Sequence, residues 1–441
     1  MCIRDRRAGA LEKLLVIATM TVLLSGLPID WFQTRAESVA REGNLRLVAA
    51  QLFLMLLGVL RIIGRLDDVI RVINLEISVF LLSGLALASF FWSADLGESI
   101  RQGIIFGAVT FYGLYLVARF EFLQIVRMLG VTFLLAAPYN LALAVLLPQF
   151  GTSDLGWTGV YDNKNTLGLA SALALALLIS AGRATPRWRL AFYAGVIGHS
   201  VLLFFSDSKT MWVAGFGAVG LMVVYRFFRS RRTLRGAVIT SMVGSSLFAV
   251  FFATANIGLL AEWLDKDVTL TGRIPLWQDL ILVGLERPFV GHGFKAAFGG
   301  YFSPIHEVWV TQTWEPQSAH NAILAIWLEL GILGLAIFYW GFLRTIKRAV
   351  HTVNLLPGGI SLWPLAYLST ALMGSVSESG ITATNINWLL YVCVALSVAR
   401  CYKSVNGLQP GGETLSDVPI EKSYEERFRS AEIDLVGSDV S

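Results

Sequence analysis

EPQSAHNAILAIWLELGILG, residues 315–334, passes without a break from a polar, charged run into an apolar one. From Asn321 the apolar run continues to Leu343, and about 20 such residues cross roughly 30 Å of hydrocarbon as a helix. The stretch therefore reads as a membrane-spanning helix that starts on His320 and Asn321. The rest of the chain repeats the pattern. Of 441 residues 55% are hydrophobic and only 15% charged, with a mean hydropathy of +0.63, which excludes an ordinary water-soluble domain. Apolar runs of similar length recur near residues 12–28, 46–64, 71–92, 102–119, 126–147, 165–182, 188–206, 211–228, 235–256, 321–343, 360–377 and 384–400. The expected fold is an all-α integral membrane protein of about 12 transmembrane helices.

Short loops rich in Lys and Arg stay in the cytoplasm. Here they follow the even-numbered spans: Arg61, Arg65 and Arg71; Arg119 and Arg127; Arg183, Arg187 and Arg189; Arg226 to Arg235; Arg344, Lys347 and Arg348. Both termini are then cytoplasmic, and one large loop between spans 9 and 10 faces the periplasm. The organisation follows: spans 1–9 over residues 1–256, the loop over 257–320, spans 10–12 over 321–402, and a disordered, solvated tail over 403–441. The loop is too long for a plain linker, and WLDKDVTLTGRIPLWQDLILVGL within it reads as short amphipathic helices along the membrane surface. The basic start MCIRDRR precedes an apolar run with no small-residue cleavage site close behind it, so that run reads as an uncleaved span. Cys2, Cys393 and Cys401 are not placed to staple the large loop.

Far-side loops should be poor in cations, yet Arg101, Lys164, Lys209 and Arg273 stand alone at expected helix ends there. Each by itself is explained by snorkelling or by pairing with Glu98, Asp162 or Asp207. As a set they call for a shared counter-ion such as a diphosphate, which Arg binds in bidentate fashion and Lys as a point charge. Ser318 and Asn321 suit helix capping. Capping does not require a histidine, and an imidazole at that mouth suits proton transfer or phosphate binding. Glu329 lies one helical run deeper, as a functional carboxylate or the buried partner of an arginine. Glu378, in SVSESG, returns to the mouth and is better placed to meet a hydroxyl. There is no Walker A motif, GHGFKA lacks the third glycine of a dinucleotide loop, and no His or Cys cluster has zinc spacing. Asp265 and Asp267 alone make a weak divalent site, and no nucleic-acid footprint is visible. A transporter or flippase is the competing class for so many spans, but transporters place substrate near the midplane between repeated halves.

Four blocks then carry a resemblance: GVYDNKNTLGLASALALAL (159–177), SDSKTMWVA (206–214), LTGRIPLWQDL with PFVGHGF (270–294) and SAHNAILAIWLELGILGL (318–335). The chain resembles the bacterial O-antigen ligase and polysaccharide polymerase superfamily, most of all its exopolysaccharide-production branch. Where that family often has His-Lys-Asn, this chain has Asp162-Asn163-Lys164-Asn165, with no histidine in the block. The resemblance implies a GT-C-like, metal-independent glycosyltransferase of the inner membrane with no cofactor. Its donor is a glycan on undecaprenyl diphosphate and its acceptor another glycan or lipid A core, with membrane lipids and other polysaccharide assembly proteins as partners. By the same resemblance Arg273 clamps the diphosphate and His320 binds phosphate or accepts the acceptor's proton. Arg101, Lys164, Lys209 and Asn321 become diphosphate contacts, and Glu378 an alternative base. The exopolysaccharide-like block favours a polymerase; a ligase, moving the finished chain, is the alternative.

Overall fold

The computed structural model describes residues 9–26, 45–60, 66–228, 244, 273–298, 303–306, 308, 318–353, 360–375, 378, 382 and 385–406. The expected ninth span, Asp265 and Asp267, and the tail beyond 406 lie outside these residues. The described part of every other expected span falls largely on helix. The helices are α1 (Ala10–Ser25), α2 (Leu45–Val59), α3 (Leu66–Ile73), α4 (Ser78–Ala88, continued by a 3₁₀ turn to Trp92), α5 (Leu96–Arg119), α6 (Phe122–Leu146), α7 (Lys164–Ala184), α8 (Arg189–Phe205) and α9 (Lys209–Phe228). The chain goes on with α10 (Arg273–Glu286), α11 (Ala322–Thr352), α12 (Trp363–Gly374) and α13 (Ile386–Asn406). Six of these, α5 to α9 and α11, are long and apolar enough to cross a membrane, by length and composition among the described residues.

Two helices form the inside. Along α13 the residues Trp388 to Leu396 are almost completely buried, between α5 and α11. Along α7, LGLASALALALLISAG is buried on nearly every side, among α6, α8, α9 and α12. Helices that are apolar all round belong in such positions. Small residues let the backbones approach: Gly113 of α5 lies directly on Val392 of α13, and Gly215 of α9 on Ala172 of α7. A polar node inside the bundle is fully satisfied: the Trp388 indole donates to Thr110 Oγ1 at 2.7 Å, and that hydroxyl lies 2.6 Å from Ser83 Oγ.

Three expectations need correcting. The third span, 71–92, is interrupted, because α3 ends at Ile73 and α4 begins at Ser78. Glu76 in the gap is fully buried, accepts from Ser78 Oγ at 2.7 Å, and takes a hydrogen bond from Arg348, with Arg344 Nε 3.7 Å away. A carboxylate needed by two arginines cannot be left in a continuous lipid-facing turn. The fold is also not purely helical, since Thr152–Ser153 and Gly156–Trp157 pair as a small antiparallel ribbon. Third, α10 does not lie flat across an end of the bundle, as described below.

The Glu76 cluster gives a stability prediction. Glu76→Ala leaves two guanidinium groups facing a site that has lost its charge, a loss of roughly 3 kcal/mol for a buried pair broken from one side. The melting temperature of the solubilised protein should fall, and adding Arg348→Leu should restore part of it. An unchanged melting temperature in Glu76→Ala would refute the assignment.

Candidate active site

Helix α11 begins on a fixed turn. Asn321 is its N-cap, and its Oδ1 accepts the Ile323 and Leu324 amides at 3.0 and 3.1 Å. The next amide, Ala322 N, donates to Ser375 O at the end of α12 at 2.8 Å, which ties the two helix ends together. Glu378 follows directly, its own amide donating to Gly374 O at 2.9 Å. The result is that His320 Nδ1 stands 3.7 Å from Glu378 Oε1, with both residues mostly buried. That separation is too long for a direct hydrogen bond and short enough for an ion pair or a bridging water. His320 adopts φ +46°, a left-handed conformation that a bulky side chain holds only where its surroundings fix it.

The register of α10 against α11 brings Arg273 to the same end. Trp277 Nε1 donates to Ala319 O at 2.8 Å, Gly284 packs on the Trp327 ring, and Trp327 Nε1 donates to Pro288 O at 3.1 Å. The two helices therefore run parallel, and α10 opens on Arg273 one turn beyond the level of Trp277. The expected surface helix is instead a partner of the first half of α11, because its indoles and Gly284 give it a face that matches that helix.

At the far end of α10 the chain turns back through α11 itself. Helix α11 is broken at Gly331 (φ +67°, ψ −167°), and residues 288–293 cross through the break. His292 N donates to Leu328 O at 2.8 Å and Gly293 N to Glu329 O at 3.0 Å, while Ile332 N and Leu333 N donate to Pro288 O and Phe289 O at 2.9 and 3.2 Å. Backbone groups that a broken helix would leave bare are thus satisfied by the crossing strand. The crossing is also tied to the start of α5: Ala94 N donates to His292 O at 2.8 Å and Ser99 Oγ to Phe294 O at 2.9 Å. Lys295 closes it, its ammonium 3.1 Å from Glu329 Oε1. Glu329 does have a basic partner, as sequence allowed, but it is a lysine of the crossing strand. Lys295 lies in GHGFKA, whose sequence offers only an incomplete dinucleotide loop and gives no sign of this pairing.

The remaining candidates are largely engaged already. Arg101 holds Glu98 on the same helix through two nitrogens, at 2.9 and 2.7 Å. Lys164 Nζ donates to Leu155 O at 2.8 Å and lies 3.3 Å from Asp207 Oδ2. Lys209 opens α9, and its neighbour Ser208 donates to Asn165 Oδ1 at 3.0 Å. Gly168 packs on Ser208 and Met211, and Gly374 on Leu169 and Met211. This chain of contacts puts the starts of α7 and α9 beside the end of α12, and so beside the start of α11. Helix starts carry partial positive charge, and although the first amides of α11 are taken by Ser375 and Asn321, several such ends together favour an anion.

The family model described as O-Antigen ligase matches residues 194–339. The chain is 24% identical over 267 residues to the "Exopolysaccharide production protein ExoQ" of Rhizobium meliloti, covering 58% of this chain and 61% of that protein. It is 28% identical over 195 residues to the "Putative polysaccharide ligase RC0486" of Rickettsia conorii, covering 43% of this chain and 45% of that one. A similar match, 28% over 188 residues, is to a protein of the same description in Rickettsia felis. The chain thus spans less than two thirds of the length of each of these relatives. Residues 194–339 run from α8 through α10 and the crossing into α11, and that stretch is where the chain is similar to the O-antigen ligase family.

Proposed function

We propose that the chain is a glycosyltransferase that takes a glycan from a lipid diphosphate and joins it to a hydroxyl acceptor, working as a polymerase of lipid-linked repeat units. The observation that carries the reading is the His320–Glu378 pair at 3.7 Å, set on the N-terminus of α11 beside the start of α10. In the reaction, the acceptor oxygen attacks the anomeric carbon and the bond from that carbon to the diphosphate oxygen breaks. The acceptor's proton passes to His320, whose positive charge Glu378 then stabilises. The diphosphate leaves with its added charge held by Arg273 and by the converging helix starts, with Lys209 near them, while Lys164 stays engaged with Leu155 and Asp207. Asn321 holds the turn on which His320 sits. Undecaprenyl is the lipid the resemblance implies, and the site end of the bundle is then the periplasmic one.

The relative named as an exopolysaccharide production protein supports work on exopolysaccharide, the relatives named as polysaccharide ligases support transfer of a finished chain equally, and the choice of polymerase rests on the resemblance of residues 159–177. The glycan profile of a strain lacking this gene separates the two. Single repeat units left on lipid, with long chains lost, is the expected result. Full-length chains stranded on the lipid would establish the ligase instead, and an unaltered profile would overturn both.

A further inference from the structure

A second feature stands at the same end of the bundle, outside the machinery described above. The ribbon Thr152–Trp157 is built rigidly: Ser153 Oγ donates to Gly156 O at 2.9 Å, Thr158 N to Gly151 O at 2.9 Å, and a Cβ on Gly156 would come within 2.8 Å of Ser206 O. Seated this way on the end of α8, it stacks the Trp157 indole on the Phe205 ring, with centroids 4.4 Å apart and planes at 18°. Phe205 is 48% exposed and Trp157 half-buried. No hydrogen bond is made by the Trp157 indole N–H to any described residue. Lys164 fastens the tip of the ribbon by its bond to Leu155 O, and the same ammonium holds Asp207.

Three carboxylates stand close to this aromatic pair along the chain: Asp154 three residues before Trp157, Asp162 five after it, and Asp207 two after Phe205. Asp154 at the tip and Asp162 before α7 are exposed, and the Asp207 side chain is 50% exposed. Such carboxylates repel a diphosphate and accept hydrogen bonds from hydroxyl groups. A flat apolar face with one N–H donor, with carboxylates nearby, matches a neutral sugar ring: its C–H face lies on the indole and its hydroxyls reach the oxygens and the N–H. We propose that Trp157, stacked on Phe205 with Asp154, Asp162 and Asp207 nearby, is a glycan-binding platform that holds sugar units away from the bond being made. It rests on the glycosyltransferase reading for the identity of the glycan. It gives that site a means of favouring longer glycans, which reach both the reaction centre and the platform.

The test uses full-length protein in lipid nanodiscs and oligosaccharides of graded length, released by mild acid from the lipid-linked pool of the deletion strain. Saturation-transfer NMR gives the dissociation constant. Trp157→Ala should weaken binding of the longer oligosaccharides about tenfold, the value of one good aromatic contact, and Trp157→Phe by less. Transfer and binding are measured on the same samples, with His320→Ala testing the catalytic reading by transfer and Trp157→Ala the platform by binding, so that the two failures are told apart. If Trp157→Ala does not insert, Trp157→Leu supplies volume over Phe205 without a flat face or an N–H and serves in its place. No binding by wild type, or an unchanged constant in the Trp157 variant, overturns the proposal; the latter leaves Trp157 as an aromatic anchor at the membrane surface.

Discussion

His320→Ala should lower the turnover of glycan transfer about a hundred- to ten-thousandfold, the range for removal of a general base, while the protein still inserts and melts close to wild type. The stability change is small because the N-cap of α11 is Asn321, whose two amide contacts do not involve the imidazole. His320→Asn is the sharper variant. Asparagine tolerates the left-handed backbone that residue 320 adopts at φ +46°, so it keeps the turn and removes only the titrating ring. If His320→Asn transfers glycan at the wild-type rate, the base assignment fails. Glu378→Gln keeps shape and hydrogen-bonding capacity but loses the charge 3.7 Å from His320. It should cost about tenfold in turnover with little change in KM, the pattern of a group that stabilises the imidazolium. Equal losses in Glu378→Gln and His320→Ala would make the carboxylate the base itself.

How much of this could be read from the sequence depends on the kind of interaction. Apolar helices are one-dimensional signals, and the apolar runs located the described ones within a few residues, α7 and α13 included. What interrupts a span is harder to see. Glu76 in NLEIS and the Gly331 break in LELGILGL both lie within hydrophobic text, and only contacts far along the chain, from Arg348 and from residues 288–293, show why the helix stops there. The site divides in the same way. Asn321 as a cap and Glu98 beside Arg101 are local patterns and were legible. The approach of Glu378 to His320 depends on the Ala322–Ser375 hydrogen bond, and that of α10 to α11 on Trp277 and Trp327, for which no spacing rule exists. The cations illustrate the limit of charge counting: Lys164 and Arg101 broke the loop trend, but their first partners are Asp207 and Glu98. The Trp157–Phe205 stack joins residues on a ribbon and a helix end, and a short TSDLGW turn gives little sign of it.

Gly331→Val should be the most damaging single change in the described part of the chain. At φ +67°, ψ −167° the residue occupies a region that is essentially glycine's alone. A Cβ there would also lie 2.2 Å from the Phe289 carbonyl carbon, which is backbone and cannot swing aside. The partner position shows the same crowding, with a Cβ on Gly291 (φ +69°) only 2.5 Å from the carbonyl carbon of Glu329. Two backbones can cross at this distance only if both contact residues are glycine. Any side chain must push residues 288–293 out of the break, and the amides and carbonyls of Leu328, Glu329, Ile332 and Leu333 would lose the partners that replace their helical ones. In a membrane-spanning helix each such group costs several kcal/mol, so the total exceeds the stability of a typical domain. The expected result is loss of folded protein from the membrane fraction in Gly331→Val, and a milder loss in Gly291→Ala. Healing the helix is the competing outcome, since Gly331→Ala favours continuous α-helix. That variant would keep protein in the membrane but expel the crossing strand, with Lys295 and the end of α10. Because α10 carries Arg273 on its first residue, transfer should then fail while expression persists. Normal transfer by Gly331→Ala would show that the crossing does not position the site.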